Sequence, residues 1–275
     1  MRMDLTPYLP IEGEEPLQRI VDDGGFTAIF RTIACVGDSL SSGEFESRDA
    51  EGNKGYHDMF EYSWGQYIAR AAGTTVYNFS KGGMTAQEYM KSFGEARGFF
   101  DKEKAAQAYI IALGVNDLNF VAHDRYADGW GSMEDVTADW HEHKDSFYGC
   151  FAALVQRYKE IQPDGKFFFI AKPRNGEVDE AADKHAKAMY EMAEYFSNSY
   201  VIDLGKYGPI VVAAFRDRYF LGGHMNPTGY ILIAKMVMSY VDYLVRHHFE
   251  DFVQVPFMGT EWSNPTAYPI KKKEN

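Results

Sequence analysis

Residues 34–43 read Ala-Cys-Val-Gly-Asp-Ser-Leu-Ser-Ser-Gly, and they set a single serine, Ser39, where an apolar run gives way to a glycine turn. The run from Phe26 to Val36 reads as a strand, and the small polar residues after Gly37 lead into a helical pattern. Ligands of open parallel sheets collect outside the carboxyl ends of the strands, so a serine there is presented rather than buried. Its hydroxyl is a weak nucleophile until a base takes its proton. A plain Asx-turn carries the same Gly-Asp-Ser sequence, and this segment alone leaves both readings open.

Three further segments follow in order. A second apolar strand, Thr75 to Phe79, leads into Ser80-Lys81-Gly82-Gly83-Met84-Thr85, a glycine turn opening a helix. A third, Tyr109 to Leu113, leads into Gly114-Val115-Asn116-Asp117. Gly223-His224-Met225-Asn226-Pro227 stands just before a long apolar helix. With Ser39, this ordered set resembles the SGNH (GDSL) hydrolase family over roughly residues 30–245. The resemblance implies that Ser39 is the nucleophile and His224 its base, with the Gly83 and Ser39 N–H groups and the Asn116 amide binding the oxyanion. Spacing around Asn78 favours Gly83 over Gly82 for that role. The chemistry suits the residue types. Histidine titrates near neutral pH, glycine puts no Cβ between its N–H and a substrate, and an asparagine amide is a donor at any pH.

One position departs from the family. Three residues before the histidine, where the family usually carries an aspartate that orients the imidazole, this chain has Leu221. Either a backbone carbonyl holds the ring, leaving a dyad, or another carboxylate reaches in, with Asp217 the nearest upstream in sequence, or the site has decayed. Asp38 and Asp117, which flank the candidates, read as acceptors that lock turns. His141-Glu142-His143 lacks the four-residue spacing of a helical two-histidine metal site and reads as solvated surface.

The elements that must hold these residues alternate. Strands are expected at about 28–36, 74–79, 108–113, 166–171 and 199–204, and helices at 61–72, 85–97, 144–161, 179–196 and 227–248. Such alternation gives parallel strands joined by right-handed crossovers, hence a three-layer α/β/α sandwich. The resemblance implies the same fold, with about five parallel strands in a flavodoxin-like order. The absence of Gly-x-Ser-x-Gly around Ser39 argues against the ordinary α/β-hydrolase fold.

No linker or repeat divides the 275 residues, so one domain is expected, with its core at about 30–248 and a C-terminal extension at 249–275. The segments 44–62 and 119–143 are long and aromatic; they are expected to overhang Ser39, either lining the cleft or forming a packed cap. The extension wraps the domain or crosses to a second subunit as a homo-oligomer contact. A formal net charge of −12 disfavours nucleic acid and anionic membranes as partners. The basic Lys271–Lys273 run reads as a solvated tail. No leader or membrane span is expected, and two isolated cysteines, Cys35 and Cys150, fit a reducing, cytoplasmic setting.

The resulting expectation is a serine carboxylester hydrolase working through an acyl-enzyme, without metal or organic cofactor. Its expected substrate is a small ester with a short acyl group, such as an acylated carbohydrate. The rivals are a lysophospholipase or lipase-type acylhydrolase, and a non-catalytic carbohydrate-binding protein on the same scaffold.

Overall fold

Long apolar stretches that alternate in contact between two layers need cover on both faces, and the strands here have it. The computed structural model describes residues 3–264. Its central sheet uses β1 (Thr32–Gly37), β4 (Thr75–Ser80), β5 (Ala108–Ala112), β6 (Lys166–Ala171) and β7 (Ser199–Asp203). All are parallel, in the order β4-β1-β5-β6-β7. Two small antiparallel hairpins join β2 (Glu44–Arg48) to β3 (Lys54–Asp58), and β8 (Phe220–Leu221) to β9 (His224–Met225).

Side chains of a strand alternate between faces, and β6 shows the result. Phe167 and Phe169 pack with the helices Phe147–Ile161 and Glu180–Tyr195. Phe168 and Ile170 pack with Trp64–Ala72 and Pro227–His247 on the other side. The fold is therefore the expected three-layer α/β/α sandwich, and the strand order reverses between β1 and β5, the usual ligand position in such sheets.

The differences from the sequence expectation have physical causes. Residues 25–29 form a 3₁₀ turn, and β1 starts only at Thr32, where Thr75 of β4 gives it a partner. The helix expected at 85–97 is broken into Ala86–Glu88, a π-turn at Tyr89–Phe93 and Gly94–Ala96. The segment 44–62 is largely the β2–β3 hairpin. Its turn is held by Asp49 Oδ1, which accepts from the Glu51 and Asn53 N–H groups at 3.0 and 2.8 Å.

Two of the aromatic rings of the segment 119–143 turn into the protein. Trp130 is buried and stacks on Phe147 with centroids 4.0 Å apart, and Tyr126 is buried against Asp117. Pro227–His247 is long and apolar enough to cross a membrane, but most of it is buried as a core helix beneath the sheet. The described part of the extension returns to its own domain, with Phe252 buried against Phe30 and Phe168. Lys271–Lys273 and the rest of the extension past Asn264 lie outside the described residues.

Candidate active site

Ser39 opens a one-turn helix, Ser39–Ser42, directly after β1. Asp38 is its N-cap, with Oδ1 accepting from the Leu40 N–H at 3.0 Å. A capping carboxylate satisfies an orphan amide of the first turn, so Asp38 fixes where Ser39 points. Ser39 is only partly buried, and neither its N–H nor its Oγ has a hydrogen-bond partner among the described residues.

The second block is tied to the first. The Lys81 N–H donates to the Gly37 carbonyl at 3.2 Å, and Ser80 Oγ donates to the Cys35 carbonyl at 2.8 Å. Within the glycine pair the two amides differ. The Gly82 N–H is engaged by Asp58 Oδ2 at 3.2 Å, whereas that of Gly83 has no partner among the described residues. Gly83 is exposed, with φ +75°, in the left-handed region that glycine enters without steric cost. The structure thus leaves the Gly83 amide, and not that of Gly82, available to a ligand.

Asn116 joins both blocks. Its Nδ2 donates to the Met84 carbonyl at 3.1 Å and, at a long 3.4 Å, to Asp38 Oδ2. The amide therefore bridges the residue before Ser39 and the residue after Gly83.

His224 comes from β9, which packs against the Ser39–Ser42 helix. Its Nε2 lies 3.2 Å from Glu44 Oε1, and its Nδ1 is buried with no partner among the described residues. The Tyr56 ring stands edge-on to the imidazole at 5.9 Å. Leu221 pairs with His224 across the β8–β9 hairpin but is about half exposed. Asp217 is exposed on the Ala213–Tyr219 helix and makes no ion pair or hydrogen bond among the described residues. The carboxylate beside the histidine is Glu44, which sequence reasoning missed. Glu44 and Glu46 share one face of β2, and Glu46 Oε2 accepts from the Gly223 N–H at 3.0 Å. The alternation that puts both on the histidine hairpin shows only when 44–48 is read as a strand.

Two buried carboxylates underlie the site. Burial pushes Asp38 up to about 7, with Asp117 and Glu44 adding repulsion, and burial pushes Asp117 up to about 6. Asp117 Oδ1 accepts from the Ala86 N–H at 2.7 Å and from the Tyr126 hydroxyl, while Oδ2 is buried without a partner among the described residues. The folded protein keeps protons that the unfolded chain releases near 3.8. Their contribution to stability is complete below that value and is lost as pH rises through 6 to 7, by up to about 1.4 kcal/mol per pH unit per proton. Asp117→Asn keeps an acceptor for both donors and cannot titrate. Its thermal unfolding between pH 5 and 8 is expected to vary less with pH than that of the wild type. Equal slopes would show Asp117 ionised throughout.

A parallel five-stranded sheet sheathed by helices, with a serine off its first strand and a histidine leading into its last helix, defines a three-layer hydrolase of the SGNH type. The chain belongs to the GDSL-like lipase/acylhydrolase family, whose profile matches residues 35–232. No curated protein matches the sequence. Among solved structures, it is similar to one assigned as a GDSL-like lipase from Parabacteroides merdae, at 19% identity and TM-score 0.51, covering 77% of this chain and 95% of that one. A family two carbohydrate esterase from Clostridium thermocellum, in complex with cellohexaose, matches at 13% identity and TM-score 0.54, over 88% of this chain and 67% of that one. A family two carbohydrate esterase with a carbohydrate-binding domain from Corynascus thermopiles gives 13% and 0.54, over 85% and 69%. At these identities the likeness is one of fold. The family places the protein among ester hydrolases and acylhydrolases.

Proposed function

We propose that the protein is a serine carboxylester hydrolase that acts on a short-acyl ester, such as an acetylated sugar or similar polyol. The observation that carries this reading is that Ser39, the unpartnered Ser39 and Gly83 amides and the Asn116 amide follow the ends of the neighbouring strands β1, β4 and β5, with His224 on β9 packed against the Ser39–Ser42 helix. Ser39 Oγ attacks the ester carbonyl carbon and its proton passes to His224. The negative charge moves to the carbonyl oxygen, held by the Ser39 and Gly83 N–H groups and Asn116 Nδ2. The intermediate collapses, the bond to the alcohol oxygen breaks, and His224 returns the proton to that oxygen. Water repeats the sequence on the acyl-enzyme, releasing the acid and free Ser39. Donors fixed in advance where charge develops supply much of the acceleration in such reactions.

A cavity of about 60 Å³ supports a short acyl group. Leu40, Val115 and Met225 line it, the chain neighbours of Ser39, Asn116 and His224, with Leu113 and Ile170 among the deeper walls. Its volume is well below the roughly 150 Å³ of an apolar cavity that accepts benzene, so it suits an acyl chain of a few carbons. Tyr56, more than half exposed beside His224, offers the alcohol side a ring on which a sugar can stack. That similar folds include family two carbohydrate esterases, one in complex with cellohexaose, supports a sugar on the alcohol side.

A series of 4-nitrophenyl esters tests both halves of the reading. Activity is expected to fall from acetate to octanoate. Each methylene seated in an apolar groove is worth about 0.8 kcal/mol, so a lipase-type site would give the opposite trend, and rising activity would favour the lysophospholipase reading. No hydrolysis of any ester, and no labelling by a fluorophosphonate, would point to a binding protein.

A further inference from the structure

We infer that His185 is a positioning residue for the oxyanion donor Asn116, fixing the turn from which the Asn116 helix starts. The inference rests on the esterase reading above and extends it to a buried histidine on another helix.

His185 is buried on the Glu180–Tyr195 helix, and both of its ring nitrogens are engaged. Nδ1 accepts from the Lys172 N–H at 3.1 Å, and Nε2 donates to the Leu113 carbonyl at 2.9 Å. A backbone N–H can only donate and a carbonyl can only accept. Both contacts therefore require the same neutral tautomer, with its proton on Nε2. Burial, together with the Lys172 cation, outweighs the Leu113 carbonyl and pushes the ring down to about 4, so it is neutral near pH 7.

The ring stands where the sheet stops. β5 and β6 pair as far as Ile111 and Phe169, and Leu113 and Lys172 follow the two strand ends. There the imidazole, in place of a direct backbone hydrogen bond, joins one strand end to the other. Leu113, Ile170, Lys172 and His185 all line the acyl cavity.

Asn116 follows from the Leu113 side of that bridge. Its helix, Val115–Ala122, begins after Gly114, which has no side chain to cap it. The turn is pinned from two sides instead. Asp117 ties it to the second block through the Ala86 N–H at 2.7 Å, and His185 ties it to β6 through Leu113. Gly114 is fitted to the ring as well: its φ is +125°, and a Cβ there would lie 2.1 Å from His185 Nε2. The Trp130 and Phe147 rings, 6.4 and 6.2 Å from the imidazole, give it apolar walls. A reacting group misplaced by about 1 Å can cost roughly 10²-fold in rate, so the bridge bears on the oxyanion through Asn116.

His185→Leu removes both hydrogen bonds at similar volume. We expect kcat for 4-nitrophenyl acetate to fall roughly 10- to 10²-fold, part of the 10²–10³ attached to one oxyanion donor, with KM changed less than threefold. A double-mutant cycle separates this role from general packing, because residues that act through one another are not additive. In an Asn116→Ala background the same substitution should cost less than threefold. His185→Gln, whose amide offers one acceptor and one donor, should return kcat to within fivefold of wild type. Equal losses in both backgrounds would overturn the inference, as would a folded His185→Leu enzyme with unchanged kcat. Side-chain ¹⁵N resonances of His185, assigned by their loss in His185→Gln, should show a neutral Nε2–H ring at pH 7. An Nδ1–H tautomer would overturn the bridge even if His185→Leu failed to fold. An active Ser39→Ala would instead remove the esterase mechanism itself.

Discussion

Replacing Ser39 by alanine is expected to lower kcat for short-chain esters by roughly 10⁶-fold, the cost of removing the nucleophile from a serine hydrolase, while the fold survives. The catalytic half of this expectation is chemical. Among the described residues, no other hydroxyl at the strand ends combines partial exposure, an unpartnered oxygen and adjacent unpartnered amides; Ser41 and Ser42 beside it are buried, and Ser42 Oγ is bound to Asp58. The structural half follows from what Ser39 does not do. Its side chain makes no hydrogen bond among the described residues, and the cap of its helix belongs to Asp38. Alanine is the best helix former, so the change in stability should stay within about 0.5 kcal/mol, as for ordinary exposed substitutions. Intact-mass measurement after fluorophosphonate treatment supplies the direct check, since the wild type should gain one adduct and Ser39→Ala none. More than a few per cent of wild-type activity in a contaminant-free preparation would remove Ser39 as the nucleophile.

The strand ends and their punctuation were legible because burial on both faces imposes continuous apolar runs, as in Lys166-Phe167-Phe168-Phe169-Ile170-Ala171. Glycine marks the turns between those runs and the helices. From these came the sheet, four of the five expected helices and the places of Ser39, Gly83, Asn116 and His224 at the strand ends and before the last helix. The β2–β3 hairpin was not legible. Its strands are half solvated and its residues mostly polar, so Glu44-Phe45-Glu46-Ser47-Arg48 carries little of the hydrophobic signal that reveals a strand. Hidden with it was the partner of His224, because contact between Glu44 and His224 is a product of tertiary packing across 180 residues of chain. Asp217 is nearer in sequence but sits on an exposed helix face. Similarly, the aromatic content of 119–143 was visible while its direction was not. Trp130 and Tyr126 face inward because Phe147 and Asp117 give them an apolar wall and an acceptor.

Asn116→Ala is expected to lower kcat by roughly 10²–10³-fold, the usual effect of deleting one oxyanion donor, with a smaller change in KM. The amide has two protons to place. The bond to the Met84 carbonyl at 3.1 Å is of ordinary length and fixes the plane of the side chain. The contact with Asp38 Oδ2 at 3.4 Å is long, so little is lost when that proton turns to a developing oxyanion. A donor whose strong bond orients it and whose weak bond can be exchanged contributes mainly in the transition state, where the oxygen carries charge. Interactions of that kind appear in kcat rather than in ground-state binding. Asn116→Asp sharpens the test, because a carboxylate beside Asp38 and Asp117 has no proton to offer when ionised and would repel the oxyanion. Its loss at pH 8 should exceed that of Asn116→Ala and diminish as the pH is lowered and the new carboxyl becomes protonated. An unchanged kcat with raised KM in Asn116→Ala would assign the residue to substrate binding and leave the oxyanion to the Ser39 and Gly83 amides.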